Sequence, residues 1–162
     1  MRLLFTTQQD GAPRLLDSAV IASGFPERTD PGALVIGPTG VAFDRMTGSL
    51  LVADSLDNRI AAIPNALVRT RIAGTGSTIS MDGSFNDPLG VSLIGRDLFV
   101  ANGDDGNIVE VNITSGRQVH VTLADSSGGP PPGTGALFGL WAVGIGEVYL
   151  VDDATNSFNL LH

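Results

Sequence analysis

The residues best suited to chemistry in this 162-residue chain are carboxylates and amides that recur in three short loops. Asp54-Ser55-Leu56-Asp57-Asn58, Asn102-Gly103-Asp104-Asp105-Gly106-Asn107 and Asp152-Asp153-Ala154-Thr155-Asn156 each gather several side-chain oxygens within one turn. Hard oxygen donors of this type suit Ca²⁺, which takes about six to eight of them. The same residues close tight turns, because Asp and Asn side chains hydrogen-bond nearby N–H groups and tolerate left-handed backbone. A turn that recurs needs its turn residues to recur, which accounts for the shared positions without any metal. Asp104, Asp105 and Asp153 are the least dictated by repetition, so they are the candidate Ca²⁺ ligands. The shared positions Asp54, Asn58, Asn102, Asn107, Asp152 and Asn156, with Trp141, are the candidates for a ligand-binding face.

Other catalytic chemistry finds little material. There is no cysteine, so thiolate nucleophiles, thiolate metal sites and disulfides are excluded, and there is no lysine. Of the two histidines, His120 falls in an apparent outer strand (Gln118-Val119-His120-Val121-Thr122) and His162 is the last residue. No Gly-x-Ser-x-Gly elbow, His-Glu-x-x-His pair or lysine-bearing phosphate loop is present. Gly74-Thr75-Gly76 is too short for one. A net charge of −8 and a pI near 4.4 argue against a nucleic-acid surface, which needs clustered cations. No run approaches the ~18 apolar residues of a membrane span. Met1–Phe5 resembles the start of a signal peptide, but Thr6 to Asp10 end the apolar region too soon, so an export signal is not expected in the chain.

The loops are positioned by a repeat. Gly40-Val41-Ala42-Phe43, Leu50–Asp54 and Asn58–Ile63 are matched by Gly90-Val91-Ser92-Leu93, Leu98–Asn102 and Asn107–Val111. A third set is Gly139-Leu140-Trp141-Ala142, Val148–Asp152 and Asn156–Leu160. The leading glycines lie 50 and 49 residues apart, the three asparagines 49 and 49, and the Asp54, Asn102, Asp152 series 48 and 50. Each unit reads as short strands rich in Val, Ile, Leu and aromatics, separated by Gly, Asp and Asn turns. A fourth strand follows in the first two units, near Gly76–Ser80 and Gln118–Leu123. Four antiparallel strands per repeat of about 40–50 residues is the pattern of a β-propeller blade. The expectation is an all-β chain forming one propeller half-domain over 1–162. Its parts are an outer strand at 18–24 and blades at 34–80, 85–124 and 136–161. Trp141, on an innermost strand, reads as a core residue or as an aromatic platform lining the channel.

Pro38-Thr39-Gly40-Val41, Val52-Ala53-Asp54-Ser55 and Asn58-Arg59-Ile60 resemble NHL repeats, and Pro88-Leu89-Gly90-Val91 with Val100-Ala101-Asn102 follows the same pattern. Phe138-Gly139-Leu140 with Leu150-Val151-Asp152 matches more loosely and lacks the proline. The resemblance covers about residues 34–161 and extends to the C-terminal half of bacterial NHL-type propeller proteins of unassigned function. It implies relatives about twice this length and usually exported; no compartment follows from the chain itself. Six-bladed propellers such as lactonase-like hydrolases hold calcium in the channel, which is what the resemblance adds to the acidic loops.

Propellers hold ~4–8 blades, so three are an open arc. The stretch Ala19-Val20-Ile21-Ala22 reads as an outer strand, while the third unit lacks one. The expectation is a C2 homodimer closing a six-bladed ring, each N-terminal strand completing the partner's third blade; the rival is a piece of a longer chain, with Arg2–Thr6 as a surplus strand. The expected function is a binding or interaction scaffold for a small molecule or protein on the loop face, without nucleic acid or membrane. The alternative is a calcium-assisted hydrolase of lactone or ester type, or a lyase.

Overall fold

The computed structural model describes residues 1–31, 34–144 and 146–161, and among them there is no helix. The chain opens with a hairpin of β1 (Arg2–Thr7) and β2 (Pro13–Ala19), then a small one of β3 (Arg28–Asp30) and β4 (Leu34–Ile36). Three antiparallel sheets follow in sequence order. The first is β5 (Pro38–Asp44), β6 (Ser49–Asp54), β7 (Arg59–Ile63) and β8 (Ser77–Met81). The second is β9 (Pro88–Ile94), β10 (Asp97–Asn102), β11 (Asn107–Asn112) and β12 (Arg117–Leu123). The third has β13 (Leu137–Val143), β14 (Glu147–Asp152) and β15 (Ser157–Leu161). These are the expected blades, each an up-and-down meander.

Register explains why the pattern recurs. In the first blade Val41 pairs with Val52 and Val52 with Ala61, so alternate residues share a face. Between second and third strands, four residues turn the chain in every blade: 55–58, 103–106 and 153–156. The last of the four is left-handed each time: Asn58 (φ 45°), Gly106 (φ 67°) and Asn156 (φ 53°). Glycine reaches this conformation freely, and Asn or Asp more cheaply than other residues. The equivalent of Asn58 in the second blade is therefore Gly106, and Asn107 already belongs to the strand. The even spacing of the asparagines was off by one residue there; the Asp54–Asn102–Asp152 series gives the true alignment.

Both strand faces are apolar where blades stack. Leu51, Ala53 and Ile60 of the first blade meet Val91, Leu98, Val100 and Val109 of the second in one cluster. Ala101 and Ile108 of the second meet Leu137, Ala142, Val148 and Leu150 of the third. Fully burying one such side chain stabilises by about 1.5–3 kcal/mol, so the joints between blades carry much of the stability. The innermost strands touch most closely. A Cβ on Gly40 would stand 2.2 Å from the Leu89 carbonyl oxygen, and one on Gly90 would stand 2.3 Å from that of Phe138. Gly40 and Gly90, the leading glycines of the first two blades, permit this approach.

The N-terminal region departs from the expected outer strand at 18–24. Strand β2 ends at Ala19 and pairs with β1 rather than standing alone. Beyond it, Ile21 and Ser23 bond to the long loop of the first blade, through Ala73 N–H to the Ile21 carbonyl and Ser23 N–H to the Gly74 carbonyl (both 3.0 Å). Ile21 thereby fills a pocket of Val52, Ile63 and Ala66 on the outer side of that blade. The apolar alternation reports a tail that covers a blade face, and Arg2–Thr7 is the strand that β2 already uses.

Candidate functional site

The innermost strands β5, β9 and β13 stand side by side, and the concave side they form holds a cavity of about 830 Å³. Its floor is the run of small and apolar residues on those strands, with Gly40, Leu89, Val91 and Leu140 among them. Glycines keep this wall thin, so backbone rather than side chain faces the space. One end carries charge: Arg28 and Asp30 from β3, Asp87 at the mouth of β9 and Asp104 in the turn after β10. Phe138 and Trp141 add aromatic surface to the lining.

Asp87 is the most constrained of these groups. It is left-handed (φ 57°), although the proline that follows it favours extended backbone. Its N–H donates to the Asn58 side-chain oxygen (2.9 Å), and its carbonyl accepts the Gly103 N–H (2.8 Å). The two flanking turns thus hold it in place. Carboxyl oxygen Oδ1 is buried without a hydrogen-bond partner. Burial foremost, and the negative charge of Asp104 after it, push this carboxyl above its ordinary value. A hydrogen bond from Ser55 and, after it, the Arg28 charge pull the other way, and the Arg28 guanidinium also lies 4.0 Å from Asp30. With three carboxylates against one guanidinium, the charged end favours a cation or a hydrogen-bond donor.

Of the candidate ligand-face and metal residues, the structure brings Trp141 and Asp104 to this cavity, joined by Arg28, Asp30, Thr134 and Gly135 from the two long entry loops, 27–32 and 125–135. Trp141 is 68% exposed, so it lines the space and is not a core residue. Asp54, Asn102 and Asp152 are buried inside the turns. Asp54 receives the Arg59 guanidinium at 2.7 and 2.8 Å, while Arg59 also donates to Thr78 Oγ1. Asn102 donates to the Ser84 carbonyl at 2.8 Å, and Asp152 accepts the Thr155 N–H at 3.0 Å. Asp105 accepts the Asn107 N–H at 3.0 Å and the Asn102 amide at 3.2 Å. Asn156 and Asp153 face solvent. These are turn and blade-joint groups, placed away from the cavity.

The three candidate calcium ligands do not lie together. Among the described residues no three Asp, Glu or His side chains converge as a metal site would require. Asp104 is beside Asp87, Asp105 is spent on its own turn, and Asp153 is elsewhere. His120 pairs across strands with Glu110 on the outer side of the second blade, next to a smaller cavity, and His162 lies outside the described residues.

Sequence reasoning missed Asp87, whereas Arg28 lies in the long entry loop 27–32, which reads from sequence as able to shape a pocket. The only local signal for Asp87 was its position before Pro88, and no repeat marks it, since Ala136 stands at the corresponding point of the third blade.

Comparison with solved structures gives the class. The chain superimposes on a chain of the nidogen/laminin complex with a TM-score of 0.57 at 16% identity, covering 97% of this chain and 50% of that one. A luciferin-regenerating enzyme matches with 0.57 at 11% identity, covering 99% and 51%. A computationally designed protein, Ika4, matches with 0.51 at 12% identity over 77% and 65%. At such identities the likeness is one of fold alone: the chain has a β-propeller-like fold. It spans about half the length of the first and second of these solved chains. No protein-family model and no curated protein matches it.

Proposed function

We propose that the chain is an NHL-type propeller segment that acts as a binding scaffold, taking its ligand in the cavity on the innermost strands. The observation that carries this reading is that one cavity is lined by both an exposed Trp141 and a half-buried Asp87 whose carboxyl oxygen Oδ1 lacks a hydrogen-bond partner. An aromatic face holds an apolar body or a cation, and an underused acceptor rewards a donor. A ligand with a flat apolar part and a positively charged end suits both. The set holds no activated nucleophile and no base–nucleophile pair, which favours binding over hydrolysis.

Trp141 is the single tryptophan, so its fluorescence reports on the cavity. Titration with phenethylammonium should give a saturable change, weakened roughly fivefold by Asp104→Asn, the worth of about 1 kcal/mol. Phenylacetate, of similar shape and opposite charge, should give none. Equal responses to both probes, or none to either, would remove the support for this reading.

A further inference from the structure

Two aspartates of the chain precede a proline, Asp30 before Pro31 and Asp87 before Pro88, and the fold holds them differently. The residue before a proline is driven toward extended backbone. Asp30 follows that rule: it pairs with Leu34 in β3, and its carboxylate lies 4.0 Å from the Arg28 guanidinium. Asp87 is instead left-handed, at φ 57°. Backbone of this kind persists only where its surroundings impose it. Here they do: the Asn58 side chain accepts the Asp87 N–H at 2.9 Å, and the Gly103 N–H donates to the Asp87 carbonyl at 2.8 Å. The Asp104 N–H reaches the Asn86 carbonyl at 3.3 Å. Gly103 also meets the Asp87 carboxyl, since a Cβ on it would stand 2.8 Å from Oδ2. Carboxyl and carbonyl of one residue are thus gathered against a single glycine. The other carboxyl oxygen, Oδ1, has no hydrogen-bond partner.

We propose that Asp87–Pro88 is a self-cleaving peptide bond, at which the Asp87 carboxyl cuts the chain between the first and second blades. One carboxyl oxygen attacks the carbonyl carbon of its own residue, closing a five-membered ring, and the carboxyl proton passes to the Pro88 nitrogen. The C–N bond then breaks, leaving a cyclic anhydride on Asp87 and a secondary amine on Pro88. Water from the cavity that Asp87 lines opens the anhydride to two carboxyls, so one water is consumed in all. The Gly103 N–H stands where negative charge grows on the carbonyl oxygen, as an oxyanion-hole donor does. Breaking the bond also releases the left-handed backbone. Burial and the Asp104 charge, with a smaller push from Asp30, keep the proton on Asp87 where an ordinary carboxyl has lost it; the Ser55 hydroxyl and the Arg28 charge act against them. The cut leaves the blades together, because Val91, Leu98 and Val100 stay packed on Leu51, Ala53 and Ile60. This inference does not rest on the ligand reading: it needs no ligand and is read from fragment masses.

Prolonged incubation of the chain in mildly acidic buffer, above the ordinary carboxyl value of 3.8, tests it, with mass spectrometry of the denatured products. Asp30–Pro31 is the internal control. In the folded chain, fragments 1–87 and 88–162 should outnumber 1–30 and 31–162 at least about tenfold, since one such donor is worth about 10²–10³ in rate. In urea that unfolds the chain, the two bonds should be cut at similar rates. Asp87→Asn should abolish the cut after residue 87 and keep the one after residue 30. Asn58→Gly tolerates the left-handed turn at that position and frees the Asp87 N–H, so it should slow the folded cut several-fold and leave the rate in urea unchanged. Should Asn58→Gly fail to fold, the comparison of folded chain with urea decides alone. A folded chain that stays intact at Asp87, or is cut there no faster than at Asp30, overturns the proposal. So does a preference for Asp87 that survives in urea, which would belong to the local sequence and not to the fold.

Discussion

The joint between the first and second blades and the open face of the third are built on one register and differ in what fills it. At the joint, Ala42, Ala53 and Ala62 leave room for Val91, Val100 and Val109, and all six are buried. Two hydroxyls cross it: Ser55 Oγ donates to the Pro88 carbonyl at 2.8 Å and Thr39 Oγ1 to the Leu89 carbonyl at 3.1 Å. On the third blade the same face carries Trp141, Val151 and Phe158, and Asp153 takes the position of Ser55. Small residues there indicate a close neighbour, and large ones a neighbour that is farther off or differently shaped. A repeat therefore fixes strands and turns, while burial and side-chain size along one face decide which blade is internal.

The largest contrast should come from the turn that closes each blade. In the first, Asp54 and Arg59 form an ion pair with both side chains almost wholly buried. Arg59→Ala leaves a carboxylate in the interior that burial, foremost, already holds above its ordinary value, against the favourable pull of Arg59. Removing one partner of a buried pair costs about 3–5 kcal/mol. The equivalent pair in the third blade is Asp152 and Ser157, and Ser157→Ala should cost under about 0.5 kcal/mol. Urea unfolding of the two variants measures the difference. Similar losses would mean that the first blade is not held by this pair.

A second contrast sets one core position against its open counterpart. Ile108→Ala empties a buried site between the second and third blades and should cost about 2–5 kcal/mol. Phe158→Ala, at the matching position of the third blade, loses the stack on Tyr149 and little else, about 0.5–1.5 kcal/mol. Thermal unfolding compares them. A large loss at Phe158 would show that this face is covered within the chain.

Much of this was legible from sequence. Strand positions, turn positions and the blade count follow from alternation and from Gly, Asn and Asp spacing, because each blade repeats one local solution. The site was legible only in part. Asp54 and Asn102 recur because a turn consumes them, so repetition pointed to structure where it had been read as a face for ligands. Asn107 was misaligned because Gly106 and Asn58 solve the same left-handed requirement with different residue types. Asp87 and Arg28 carry no repeat signal, since the cavity gathers loops whose sequences are free to differ between blades. Exposure of Trp141 depends on what lies beyond the third blade, which no local pattern encodes.

The smallest expected effect concerns charge at the cavity end, where the first joint opens onto the ligand space. Burial, then the nearby Asp104 charge, holds the Asp87 carboxyl above the ordinary 3.8 in the folded chain. The folded state therefore keeps this proton at pH values where the unfolded chain has released it. Stability contributed by Asp87 falls as pH rises from 3.8 through the raised folded value, and the penalty is constant above it. Asp87→Asn removes the penalty while keeping an acceptor oxygen, so the variant should match or slightly exceed the parent at neutral pH. The gain should shrink on acidification and vanish below 3.8. Asp44 supplies the opposite sign within the first blade: burial raises its carboxyl, but hydrogen bonds from Thr47 and Met46 and the Arg96 charge outweigh it and leave it lowered. Its contribution is present above 3.8 and lost as pH falls through the folded value, so Asp44→Asn should destabilise at neutral pH and lose its effect in acid. Chemical denaturation of both variants between acid and neutral pH separates the two. If the Asp87→Asn gain grew on acidification instead, the Asp87 charge would be favoured in the fold, and the cavity would be tuned for an anion rather than a cation.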